Sequence, residues 1–200
     1  AWLDDAQWWL YGFAMLTAFA YAITTESHVR VDILHQNFSK KKKARIEIFG
    51  LGWLLLPFMG IMTDVMIHYG WASWVAGEGS DSANGLHMLY LLKMSLPVLF
   101  FLGIIAGWSA MIRHVARITE VRLWKLIIAA FPFMVFAAER IFYYGSWWFV
   151  RLTNSEIQDR RISREPLLEA STYYGFAVLV VIFVVSFIIA RNKNNNKEAA

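Results

Sequence analysis

The stretch ESHVRVDIL sets Glu26, His28, Arg30 and Asp32 at alternate positions, with Val29, Val31 and Ile33 between them. On a strand, all four polar groups would share one face, whereas on a helix they would spread around it. His28 and Asp32 are then one turn apart, the spacing of a general acid/base pair, but no nucleophile or substrate cradle accompanies them in the sequence. The competing reading is a polar knot at the point where a helix leaves a membrane and its charges reach water.

Other groups with chemical potential are scattered. The five histidines raise bis-imidazole haem ligation, yet His68 and His87 fall near run ends, and His28, His35 and His114 near the opposite ends. Haem in a helical bundle takes ligands from inside facing helices, so wetted interfacial histidines are the plainer expectation. Asp64 and His68, one turn apart, have the spacing of a proton relay or of an ordinary hydrogen-bonded pair. Lys93, in LHMLYLLKMSLPVLFF, is close enough to a run end to snorkel or to pair with a neighbouring helix, with substrate binding as the alternative. Glu139 and Arg140 are adjacent opposite charges within an apolar run. Successive helix residues point about 100° apart, so the pair is expected not to neutralise itself. Each residue should find a partner on another helix, or the run should bend at the interface with both charges wetted.

What must position these residues follows from composition. The chain of 200 residues is 58% hydrophobic and 17% charged, which points to lipid as its solvent. With no cysteine, disulfides, thiolate chemistry and iron–sulfur ligation are excluded. The opening AWLDD lacks a basic n-region and cleavage site, so the first apolar run is expected to belong to the mature protein.

Five apolar runs, at residues 7–23, 46–69, 86–112, 123–150 and 173–190, predict an all-α integral membrane protein of about five transmembrane helices joined by short loops. Pro57, Pro97 and Pro132 lie inside runs and are expected to kink helices rather than break them. The ten tryptophans gather near run ends as an aromatic belt. Gly50, Gly52, Gly103 and Gly107 are candidates for close helix contact, and GIIAG has small-xxx-small spacing. The end RNKNNNKEAA, residues 191–200, reads as a polar, disordered cytoplasmic tail.

Lysine and arginine alternate along the connections. Residues 24–45, 113–125 and the tail hold thirteen of them, while 70–85 and 151–172 hold four. The positive-inside bias places the richer set in the cytoplasm, with the C-terminus. Lys40, Lys41, Lys42 and Lys43 then form a cytoplasmic anchor beside anionic lipids, each contributing about 1 kcal/mol near such a surface. A nucleic-acid patch is the poorer reading, and no nucleic-acid partner is expected.

Taken in order, WLDD, HVRVDIL, FSKKKKARIE, the loop GEGSDSANGL and LLKMSLP resemble the small membrane (permease) subunit of tripartite ATP-independent periplasmic (TRAP) transporters, most closely the organic-acid and mannitol-type branch. The resemblance covers residues 1–115; residues 116–190 are an additional helical membrane extension that does not map onto it. The family usually has a further helix before the acidic pair. The resemblance implies no catalysis and no cofactor. It implies a scaffold in a bacterial inner membrane, partnered by the large solute- and sodium-translocating subunit and, through the complex, by a periplasmic solute-binding protein. His28, Arg30, Asp32, Lys93 and Pro97 fall in the motifs that carry it. A haem-bearing redox anchor and an autonomous small channel or carrier are the alternatives from other classes.

Overall fold

A computed structural model describes residues 2–25, 38–81, 84–154 and 159–198. Among these, every regular element is helical. The chain divides into two compact units, Ala1–Thr119 and Glu120–Ala200.

In the first unit, α1 (Trp2–Thr25) and α2 (Lys40–Ala76) both pack on α3 (Leu89–Ala116). The packing face of α3 is the stripe Gly103, Ala106, Gly107, Ala110, Met111 and His114, buried at helical spacing. A side-chain carbon at Gly103 would lie 3.0 Å from Met59 Sδ, and one at Gly107 3.1 Å from Leu56 Cδ2, so the GIIAG spacing serves contact with α2. The other expected pair behaves differently: Gly52 is buried, but Gly50 faces open space. Both belong to a π-helical segment, Gly50–Leu55, in which the Leu56 N–H reaches back to the Leu51 carbonyl. Such a wide turn inserts one residue into the helix. Pro57 follows directly, inside α2, and Pro97 is carried inside α3.

The ends of α2 differ from the sequence expectation. Helix extends through Ala76, past the apolar run, and stops where Gly77 takes φ 62°. There the Glu78 N–H bonds the Ser73 carbonyl at 3.1 Å and the Gly77 N–H bonds that of Trp74 at 3.1 Å, a Schellman closure that requires the left-handed residue. At the other end the lysine run is not loop. Ser39 caps the helix by accepting from the Lys42 N–H, so all four lysines occupy its first turns.

In the second unit, α4 (Leu123–Ala129) and α5 (Phe131–Thr153) meet at a 101° bend, and two short turns, α6 (Asp159–Ile162) and α7 (Pro166–Glu169), lead into α8 (Ser171–Glu198). The run at 123–150 is thus broken at Ala130 rather than kinked by Pro132. Ala130 leaves helical geometry at φ −122°, ψ 36°, and Pro132 sits in the first turn of α5, where its lacking N–H costs nothing. Helix α8 continues to Glu198, so the expected disordered tail is helical that far. Extending a helix already nucleated in the apolar run adds a hydrogen bond per residue with no new nucleation cost.

The all-α membrane class stands, with fewer apolar spans among the described residues than the five expected. Lys40–Ala76, Leu89–Ala116 and Ser171–Lys193 are long and apolar enough to cross a membrane, and the bent α4–α5 pair would make a fourth. Helix α1 is not among them because tryptophan, tyrosine, threonine and glutamine dilute its aliphatic content. Its 24 residues nevertheless reach about 36 Å at helical rise.

Candidate functional site: two polar ties in the first unit and a partly buried ion pair in the second

The N-terminal end of α1, the α2–α3 loop and the start of α3 converge. Asp5 Oδ2 accepts from the Leu86 N–H at 3.2 Å, and the Ser80 N–H donates to the Leu86 carbonyl at 2.9 Å. The Ser80 hydroxyl and then the Leu86 N–H hold the Asp5 carboxyl below the usual carboxylate range. A side chain at Gly85 would lie 2.3 Å from Ser80 Cβ and 2.8 Å from Asp5 Oδ2, so only glycine lets the loop close on the aspartate.

Lys93 completes this end. Its ammonium meets Glu78 Oε1 at 2.5 Å and lies 4.5 Å from the centre of the Tyr69 ring, with only 8% of the side chain exposed. The Lys93 hydrogen bond is also the main cause holding the Glu78 carboxyl low. Lys93 therefore joins α3 to the residue that the Schellman turn of α2 sets in place. Pro97 cannot donate to the Lys93 carbonyl, as a residue four positions on ordinarily would. At that place α2 comes closest: a carbon at Gly70 would lie 3.2 Å from Met94 Cα and 3.3 Å from the Lys93 oxygen. WLDD, GEGSDSANGL and LLKMSLP, far apart in sequence, are thus one polar tie.

A second tie joins the other ends of α1 and α3. Arg113 Nη2 donates to the Thr24 carbonyl at 2.7 Å, and its Nη1 to the Ser109 hydroxyl at 2.9 Å. The guanidinium caps an orphan carbonyl at a helix C-terminus, where positive charge is favoured. Because α1 is held to α3 near both ends, it runs beside that helix over its length. The sequence offered Arg113 only as one of the orienting charges and Asp5 only as part of its acidic motif, and Glu78 and Gly70 carried no signal of their own.

Glu26, His28, Arg30, Asp32 and His35 lie outside the described residues. Asp64 is half-buried and His68 and His87 are exposed, whereas His114 is 2% exposed on the packing face of α3, not wetted at an interface as expected. Its Nδ1 lies 3.2 Å from Arg117 Nη1. Among the described residues no three His, Asp or Glu side chains group as metal ligands would. Lys40, Lys41 and Lys42 are exposed, Lys42 lying 3.8 Å over the Phe38 ring, and Lys43 is half-buried.

In the second unit Glu139 and Arg140 correct the expectation that they would not face each other. Arg140 Nε donates to Glu139 Oε2 at 2.6 Å and Nη2 to Oε1 at 3.2 Å. The long arginine side chain and its fork of donors turn back across the 100° separation, which a geometry argument from Cβ directions alone misses. Glu139 also reaches another helix. The Ser171 hydroxyl donates to Glu139 Oε1 at 3.1 Å, and Arg140 lies 5.3 Å from the Tyr143 ring. Gly175 permits this approach, since a side-chain carbon there would fall 2.7 Å from Glu139 Cα.

These features define a multi-pass α-helical membrane protein in which Asp5, Glu78, Lys93, Arg113 and Glu139 fasten helices or their connections to one another. Within that class, the model of the family "Tripartite ATP-independent periplasmic transporters, DctQ component" matches residues 1–117. The chain belongs to that family and is a small membrane subunit of a TRAP transporter. No curated protein and no solved structure matches it.

Proposed function

We propose that the chain scaffolds the large solute- and sodium-translocating subunit of its transporter, for uptake of a small organic acid or a related solute delivered by a periplasmic binding protein. The observation that carries this reading is the use of the motif charges. Asp5, Glu78 and Lys93, in the stretches that mark the family, hold α1, α2 and α3 in register through hydrogen bonds and one ion pair. Lys93, the charge in the apolar run whose alternative reading is substrate binding, is enclosed by protein. Meanwhile α1 packs on α3 and leaves Trp8, Leu10, Tyr11, Met15 and Tyr21 more than half exposed, an apolar and aromatic face suited to another membrane subunit or lipid.

The lysine run supports an inner-membrane orientation with residues 24–45 and the C-terminus in the cytoplasm. Cations in the first turn of a helix oppose its dipole by about 0.3–1 kcal/mol each. An anionic leaflet offsets this by about 1 kcal/mol per lysine. The tie at Asp5, Glu78 and Lys93 then faces the periplasm, and the one at Arg113 the cytoplasm. His28, Arg30 and Asp32 belong to the same scaffold at the cytoplasmic exit of α1. Residues 1–115 form the family-like region and 116–190 a membrane extension.

The test is Arg30→Ala in the assembled transporter. Reduced recovery of the large subunit, or lower thermal stability of the complex, is expected. Assembly at wild-type yield and stability with transport abolished would overturn the scaffold role for this residue.

A further inference from the structure

The second unit lies beyond the family match, and it carries two cavities a turn apart along its last helix. Helix α4 runs antiparallel beside α8: Arg122 Nη1 donates to the Ala190 carbonyl at 3.1 Å, Trp124 packs edge-on against Phe187 at 5.5 Å, and Phe131 lies level with Phe176 and Val180. Between the two helices a cavity of about 540 Å³ is lined by Glu120, Arg122, Leu123, Ser186, Ile189 and Lys193, among others. Further along α8, toward Phe176, a second cavity of about 170 Å³ is lined wholly by apolar side chains, including Ile127, Phe131, Leu179, Val180 and Phe183.

The sequence of chemistries along α8 is that of one lipid molecule. The mixed cavity sits where the apolar run of α8 ends and the cations Arg122 and Lys193 begin, the depth of headgroups. The apolar cavity sits deeper, where acyl chains lie. From Lys193 to Val180 is 13 positions, about 20 Å of helix, which is half of a bilayer measured through its headgroups. Two cations face one carboxylate in the mixed cavity. Glu120 accepts from Arg122 Nε at 3.2 Å and Nη2 at 2.6 Å, which fixes the guanidinium, and Lys193 supplies the remaining positive charge. Basic pockets between membrane helices select anionic headgroups. We infer that the α4–α8 cleft is a binding site for one anionic phospholipid, its phosphate beside Lys193 and Arg122 and one acyl chain against Ile127, Phe131 and Val180.

The experiment uses the full chain purified from membranes of equal phosphatidylglycerol and phosphatidylcholine, washed in detergent, with retained lipid read by native mass spectrometry. One phosphatidylglycerol should remain on the wild type. Lys193→Ala should reduce that occupancy about fivefold, the factor expected for one interfacial cation. Lys193→Arg should keep it. Val180→Trp fills the deeper cavity from an already exposed position and should also reduce retention. Soluble glycerol phosphate at millimolar concentration should not displace the lipid, because it lacks the chain that the apolar cavity holds. Equal retention of phosphatidylcholine and phosphatidylglycerol, or unchanged retention in both Lys193→Ala and Val180→Trp, would overturn the site. Displacement by glycerol phosphate would show an anion site alone and would equally overturn it.

Discussion

Replacing Gly175 by alanine adds one methyl group at the closest crossing in the second unit. That carbon would lie 2.7 Å from Glu139 Cα, 2.8 Å from Glu139 N and 3.0 Å from the Ala138 carbonyl carbon. Carbon atoms rest at about 3.5–4.0 Å, so α5 and α8 must part by about 1 Å, and the obstructing atoms are backbone that cannot rotate aside. The same movement takes the 3.1 Å hydrogen bond from Ser171 to Glu139 past useful length. Overpacking contributes about 1–3 kcal/mol and an interhelical hydrogen bond in a membrane about 1, so Gly175→Ala should destabilise the unit by about 2–4 kcal/mol. Gly145, in α5, supplies the control: a methyl there meets nothing within 4 Å, and Gly145→Ala should be neutral or mildly stabilising. The chain has no cysteines, so Phe142→Cys and Tyr174→Cys, whose native rings stack at 5.2 Å, report the crossing by their rate of disulfide formation. Gly175→Ala in that background should slow crosslinking severalfold and lower the unfolding midpoint in detergent. Wild-type crosslinking and stability, or equal damage from Gly145→Ala, would refute the close-crossing argument.

Gly85→Ala should detach the loop from Asp5, read as increased labelling of a cysteine placed at Asp81, because its methyl would overlap Ser80 and the Asp5 carboxylate; unchanged labelling would argue against the tie. Asp5 and Glu78 have carboxyls held low in the folded state, so their contribution to stability is full above the unfolded value of about 4 and is lost as pH falls through the lower folded value. The unfolding midpoint in detergent should therefore be flat from about pH 8 to 5 and fall below about pH 4, with the fall diminished in Asp5→Asn. For orientation, Ser80→Cys should react with an impermeant reagent in intact cells and Ser39→Cys should not; the opposite pattern would invert the topology.

The helical class was legible because the apolar runs are long and sparsely charged, whereas their ends were not. The Schellman turn at Gly77 depends on one left-handed residue, and the break at Ala130 precedes a proline that also fits within a kinked helix. Lys93 stood out as a charge in an apolar setting, but its partner Glu78 did not, since an acid in a polar loop resembles any solvated one. Asp5 was marked only by its motif; its bonds to the loop depend on a chain reversal that no local pattern records. The Glu139–Arg140 contact was missed because side-chain reach, rather than backbone direction, decides it. By contrast, the small-residue stripe of α3 was readable, since spacing of three and four residues maps directly onto one helix face.

In the proposed scaffold, this chain holds the large membrane subunit in its working state. The most direct measurement is solute uptake into proteoliposomes by the large subunit and its binding protein, reconstituted with and without this chain, together with affinity recovery of the large subunit on the tagged chain. The large subunit should be recovered with the chain, and uptake should need both. Full uptake without this chain, or failure of the two to associate in detergent and in lipid, would contradict it.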